Sequence, residues 1–268
     1  MAADAPDVAP VFRHAPLVRD HFIADPSTHV FDGRIYVYGS HDVDEPPRDS
    51  EPGRGFVMRD YRVLSMDRIG GPVTVHAPGL RLEDVPWASM QLWAPDATQR
   101  DGRYYLYFPA KDADGVFRIG VATGDRPEGP FTAQPEPIAG SYSIDPAVFV
   151  DDDGAPLLGG DLDRRFFEAA WVHRHAGRYY FSYSTGDTHT IAYATGDSPY
   201  GPFTYHGVVL APVQGWTTHH SVVEVDGRWH LFYHDTELSN RTNLRSAKVA
   251  ELVHEADGRI RTIDPFVR

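Results

Sequence analysis

The stretch Phe166-Phe167-Glu168-Ala169-Ala170-Trp171, followed by Gly177-Arg178-Tyr179-Tyr180-Phe181-Ser182-Tyr183, decides the architecture. A carboxylate precedes a Gly-Arg pair, and the pair opens a run of aromatic residues. Glycine suits a tight hairpin turn, and aromatic residues at period two suit a pleated strand. The unit returns as Gly33-Arg34-Ile35-Tyr36-Val37-Tyr38, as Gly102-Arg103-Tyr104-Tyr105-Leu106-Tyr107 and as Gly227-Arg228-Trp229-His230-Leu231-Phe232-Tyr233. A second motif recurs with it. Ile119-Gly120-Val121-Ala122-Thr123-Gly124-Asp125 with Gly129-Pro130-Phe131-Thr132 reappears as Ile191-Ala192-Tyr193-Ala194-Thr195-Gly196-Asp197 with Gly201-Pro202-Phe203-Thr204. Two motifs repeating in the same order predict a unit of four antiparallel strands, the make-up of a propeller blade.

Counting units gives an all-β, five-bladed β-propeller, a single domain over residues 1–268 with 1–15 as a loose N-terminal arm. Ring closure removes exposed sheet edges, so the N-terminal segment is expected to pair into the last blade. The third unit reads as truncated. It opens with Tyr142-Ser143-Ile144-Asp145-Pro146-Ala147, and Gly154-Ala155-Pro156-Leu157-Leu158-Gly159 stands where an aromatic strand belongs. The interval from Gly102 to Gly177 leaves about 25 residues for this unit, roughly two strands. The charged, Pro-rich segment from His41 to Arg54 reads as a solvated loop.

Composition narrows the function. With 41% hydrophobic and 12% aromatic residues, the 268-residue chain has material for a sizeable core. Its 25 basic residues face 38 acidic ones, a net charge of -13. Nucleic acid and anionic membrane both demand clustered Lys and Arg, so neither is the expected partner and a neutral substrate fits better. The absence of cysteine excludes disulfides and thiolate metal sites. Met1 to Asp20 lacks the apolar core of a signal peptide, which sets a cytoplasmic expectation, or secretion if a leader has been trimmed. The oligomeric state is left open.

In a propeller the innermost strands line a central channel, and Asp25, Asp145 and Glu168 stand at its mouth in their units. Asp-Pro is a common turn dipeptide, so Asp25 and Asp145 are open between catalyst and turn residue. Glu168 lies amid apolar neighbours, where a carboxylate is costly unless used or paired. Asp96 reads as structural. Carboxylates crowded in a partly dry pocket have their pKa values pushed apart, which lets an acid and a base coexist at neutral pH. A separation of about 6.5–9.5 Å suits inverting glycoside hydrolysis.

Five motifs in order, Ala24-Asp25-Pro26-Ser27, Trp93-Ala94-Pro95-Asp96, Ile144-Asp145-Pro146-Ala147, Phe167-Glu168-Ala169-Ala170-Trp171 and His219-His220-Ser221, together resemble glycoside hydrolase family 43. The resemblance runs over nearly the whole chain. It implies a five-bladed propeller and inverting hydrolysis of arabinose- and xylose-containing saccharides. By motif it makes Asp25 the general base, Glu168 the general acid, and Asp145 the residue that orients the acid and tunes its pKa. It implies that His219 lies near a calcium or other cation in the channel, the alternative being a hydrogen-bonded core histidine, with His220 the lesser ligand. Arg245 matches an arginine that reaches the sugar in the -1 subsite, and Trp93 a residue able to stack on a sugar face. Trp171 and Trp216 have the same capacity, but tryptophans on propeller strands more often belong to the core.

The expected function is therefore an exo-acting α-L-arabinofuranosidase or β-xylosidase without organic cofactor. It would remove arabinofuranosyl or xylosyl residues from plant-type arabinoxylan or arabinan oligosaccharides. The alternative is a non-catalytic carbohydrate-binding propeller, a degenerate member of the family disabled by its shortened third unit.

Overall fold

The computed structural model describes residues 10–46, 55–141, 143–145, 166–186 and 189–267. The first half carries β1 (Val11–Phe12), β2 (Phe22–Phe31), β3 (Arg34–Asp42), β4 (Met58–Met66), β5 (Thr74–Val75), β6 (Leu80–Arg81), β7 (Asp96–Arg100), β8 (Arg103–Lys111), β9 (Phe117–Gly124) and β10 (Thr132–Ala133). The second half carries β11 (Phe166–His175), β12 (Arg178–Thr185), β13 (Ile191–Gly196), β14 (Thr204–Leu210), β15 (His220–Val225), β16 (Arg228–Asp235), β17 (Ser246–Leu252) and β18 (Phe266–Val267). They form antiparallel sheets ordered β2-β3-β4-β5, β7-β8-β9-β10, β11-β12-β13-β14 and β15-β16-β17, with β6 also on β4 and β1 paired to β18.

The repeated sequence units land on the same geometry four times. Each Gly-Arg pair closes a two-residue hairpin whose central residues both have positive φ, as in Asp32-Gly33 (50° and 77°) and Ala176-Gly177 (47° and 85°). That is the primed turn whose twist matches its strands, and it needs glycine at its second position. The second motif supplies the third strand of its sheet, β9 in one case and β13 in the other.

The first strands of neighbouring sheets touch: β2 packs against β7 and β15, and β11 against β15. The sheets are thus arranged radially, as an all-β propeller, and their faces meet in shared cores. Tyr38, Tyr61 and Val63 of the first sheet pack with Tyr104, Leu106 and Phe108 of the second. On its other side Ile35, Val37 and Leu64 meet Phe232 and Ala247. Tyr180, Ile191 and Tyr193 meet Val222, Leu231 and Tyr233. Each such side chain stabilises by about 1.5–3 kcal/mol when buried, so these seams fix the order of sheets around the axis. The N-terminal segment joins the last sheet: Pro16 bridges Lys248 of β17, and the Leu17 N–H donates to the Ala247 carbonyl at 2.8 Å.

Two expectations need correction. Four blade sheets, besides the two-stranded β1–β18 pair, stand among the described residues where the sequence predicts five blades. The strands of the third unit would fall in residues 146–165, which lie outside the described residues. The supposed loop from His41 also begins too early: His41 and Asp42 complete β3, and the Asp42 side chain is fully buried. Its countercharge comes from Arg245, some two hundred residues away, which local composition cannot reveal.

Candidate active site

A cavity of about 280 Å³ is lined by Asp25, Asp145, Glu168, His219, Arg245 and Trp93, all six of the candidates read from the sequence. Backbone irregularity aims the carboxylates. Asp25 sits within β2 rather than before it, at a bulge between Ala24 and Ser27, with φ of 51°. Asp145 has φ of 52°. Glu168 lies between two register shifts of β11, followed by Ala169 at φ of 60°. An extra residue in a strand bends it and re-aims a side chain, and left-handed backbone costs Asp less than most residues.

Asp25 is held on every side. Its backbone N–H donates to His234 Nδ1 at 3.0 Å, and its Oδ1 accepts from Arg245 Nη1 at 2.9 Å. Because His234 accepts at Nδ1, its proton resides on Nε2, 3.2 Å from the Thr217 hydroxyl and carbonyl oxygens. Burial, with Arg245 adding to it, pushes the His234 pKa down to about 3, so the ring is neutral. Arg245 is itself fixed by a two-pronged contact: Nε and Nη2 donate to the Asp42 carboxylate at 2.9 and 2.8 Å. A guanidinium fork on a carboxylate leaves little freedom. Burial, the largest single influence, would raise Asp25, but Arg245, His219, His234 and the Ser40 hydroxyl together outweigh it and hold the carboxyl below its usual range.

Glu168 is the opposite case. Burial, with the charges of Asp145 and Asp25 adding to it, pushes its pKa up to about 8, against a weaker pull from Arg245. Burial also raises Asp145, whose Oδ2 accepts from the Ala169 N–H at 3.2 Å. That bond ties Asp145 to the backbone directly after Glu168. One carboxyl is thus kept ionised and another protonated around neutral pH, the condition for acid and base to work side by side.

His219 lies 3.8 Å from Asp145 Oδ2 through Nε2, and both its ring nitrogens are buried without a hydrogen-bond partner. A satisfied core histidine would not look like this. No group of three or more His, Asp or Glu is arranged to hold a metal among the described residues. The orphaned imidazole therefore fits a cation that takes one protein nitrogen and keeps most of its water. His220 instead packs its Nε2 2.6 Å from the Ser182 hydroxyl. Asp96 is committed to Ser27, His29 and the Ala97 N–H at 2.7–2.8 Å.

The tryptophans divide. Trp93 lines the cavity with its ring 4.6 Å from that of Phe117. Trp171 donates its indole N–H to the Val222 carbonyl and packs into the core. Trp216 does not belong to the core: it lines the cavity and is 52% exposed. Sequence reasoning missed Asp42, His234, Thr217, Phe56 and Phe167. Only Phe167 had a local signal, its place beside Glu168.

Residues 16–165 match the profile of Glycosyl hydrolases family 43. The chain belongs to this family. Among its relatives, the Humicola insolens xylosidase/arabinosidase 43A is 47% identical over 94% of this chain and 99% of its own length. The Bacteroides ovatus xylosidase/arabinosidase is 45% identical over 92% and 97%. A solved family 43 β-xylosidase/α-arabinofuranosidase from a compost microbial metagenome, in complex with xylotriose and calcium-free, is 49% identical with a TM-score of 0.90. It covers 97% of this chain and 100% of that one. The Xanthomonas citri family 43 enzyme complexed with xylotriose is 50% identical with a TM-score of 0.87, over 95% and 94%. This family 43 chain is a glycosidase.

Proposed function

We propose that the protein is an inverting, exo-acting glycosidase that releases xylosyl and arabinofuranosyl residues from arabinoxylan-type oligosaccharides. Glu168 is the general acid and Asp25 the general base that activates water. Asp145 orients Glu168 through the backbone that follows it and raises its pKa. Arg245 holds Asp25 ionised and reaches the sugar at the bottom of the cavity, and Trp93 offers that sugar an aromatic face. The observation that carries the reading is the opposed pair of shifts, Glu168 up to about 8 and Asp25 below the usual range, on two carboxyls lining one cavity.

His219 is the residue that would hold a calcium or similar cation, whose positive charge would favour the ionised form of Asp145 beside it. We read the third repeat unit of the sequence as shortened relative to the family. The spacing of the sequence repeats supports this, as does the Humicola insolens match, which runs over 325 positions against the 268 of this chain. The relative thus carries several tens of residues without a counterpart here.

The assignment sets the shape of the pH–rate profile. A base must be ionised and an acid protonated, so kcat/KM falls at low pH as Asp25 gains its proton and at high pH as Glu168 loses its own. The expected profile for xylotriose is a bell with its acidic limb below the ordinary carboxylate range and its alkaline limb near pH 8. A rate independent of pH from about 4 to 9 overturns the roles.

A further inference from the structure

We propose that Trp216, with Phe167 beside it, forms the surface on which the departing part of the substrate stacks, so that this pair selects the sugar on the leaving-group side. The proposal rests on Glu168 acting as the general acid and on how deep each residue sits in the cavity. Asp25 and Arg245 form the floor of the cavity, their side chains 7% and 4% exposed. Phe167 and Trp216 line the same cavity but are 43% and 52% exposed. A sugar whose reacting carbon lies among the carboxylates fills the floor, and what extends from it toward solvent passes these two rings.

Chemistry gives that passage its direction. The general acid protonates the glycosidic oxygen, which departs with the leaving group, so the acid marks the leaving side. Phe167 is the chain neighbour of Glu168, and its ring meets that of Trp216 edge-on at 6.3 Å between centroids. Half-exposed, uncharged aromatic faces are what the C–H faces of a pyranose cover well. The Trp216 ring stands on a pinned backbone. Its N–H donates to the Thr242 hydroxyl at 2.9 Å, Thr217 contacts Arg245 at 3.3 Å, and the Thr218 hydroxyl donates to the His189 carbonyl at 2.9 Å. The ring itself lies against those of Phe167 and His189, at 6.3 and 5.5 Å between centroids, so part of its freedom is already lost before a sugar settles on it.

The test compares two substrates on wild type, Trp216→Ala and Trp216→Phe. Xylotriose has a sugar to stack, whereas β-D-xylopyranosyl fluoride leaves as a single atom. The expected result for Trp216→Ala is a rise of about 10- to 30-fold in KM for xylotriose with kcat little moved, and a much smaller change with the fluoride. Trp216→Phe should recover most of the loss. Equal losses on the two substrates, or no loss on xylotriose, overturn the platform while leaving the catalytic roles intact. A wild type that turns over neither substrate overturns the glycosidase reading and the platform together.

Discussion

Replacing Glu168 by glutamine lowers kcat on xylotriose by about 10³- to 10⁴-fold, the upper part of the range for losing a general acid. A xylose alkoxide is a poor leaving group and departs only if protonated. A 2,4-dinitrophenyl xyloside needs no proton, so with it the same variant is expected to lose about tenfold or less. Similar losses on both substrates would mean that Glu168 does something other than deliver a proton. The substitution is also expected to stabilise the fold, which separates lost chemistry from lost structure. The pKa of Glu168 rises from 4.5 to about 8 on folding, so between these values the folded state binds more protons than the unfolded one. Wild-type stability therefore declines as pH rises through that window, and the penalty is complete above about 8. Glutamine removes it. The Tm of Glu168→Gln should match wild type near pH 4 and exceed it by about 10 °C at pH 8.5.

Arg245→Ala should damage stability more than any other single change at the site. It leaves the buried carboxylates of Asp25 and Asp42 without the guanidinium that each contacts within 3 Å. Breaking a buried ion pair from one side costs about 3–5 kcal/mol, because the abandoned charge stays in a dry environment. Urea unfolding at pH 7 reads the loss directly. The residual activity should show its acidic limb displaced to higher pH, since Asp25 loses the charge that holds its pKa down. Arg245→Lys restores the charge but not the planar fork and should recover part of both effects. A variant as stable as wild type would contradict the role given to this network.

Much of the site was legible because the repeat carried it. Asp25 and Glu168 precede Gly-Arg hairpins of similar sequence, and a shared unit puts equivalent residues at equivalent places on the inner strands β2 and β11, both of which pack against β15. The aim of those carboxylates was not legible, since it depends on bulges at Ala24–Ser27 and Phe166–Trp171 that no local pattern announces. Asp42 shows the same limit from the other side. Amid His41, Asp44 and Glu45 it reads as one more solvated charge, and only a residue across the seam between the first and last sheets makes it a buried one. Trp216 reads from the sequence as a core residue, as tryptophans on propeller strands more often are, yet it stands in the segment before β15 and lines the cavity. The count of sheets was legible where two motifs recur and unsupported by any motif in the third unit.

The central claim is that Asp25 activates a water which attacks the sugar in a single step while Glu168 protonates the leaving oxygen. The most direct measurement is the anomeric configuration of the first xylose released from xylotriose, followed by ¹H NMR before mutarotation. Single displacement at a β-linkage predicts that α-xylose appears first and β-xylose grows only as the solution equilibrates. Initial release of β-xylose would require a covalent sugar–enzyme intermediate and would contradict the roles assigned to Asp25 and Glu168.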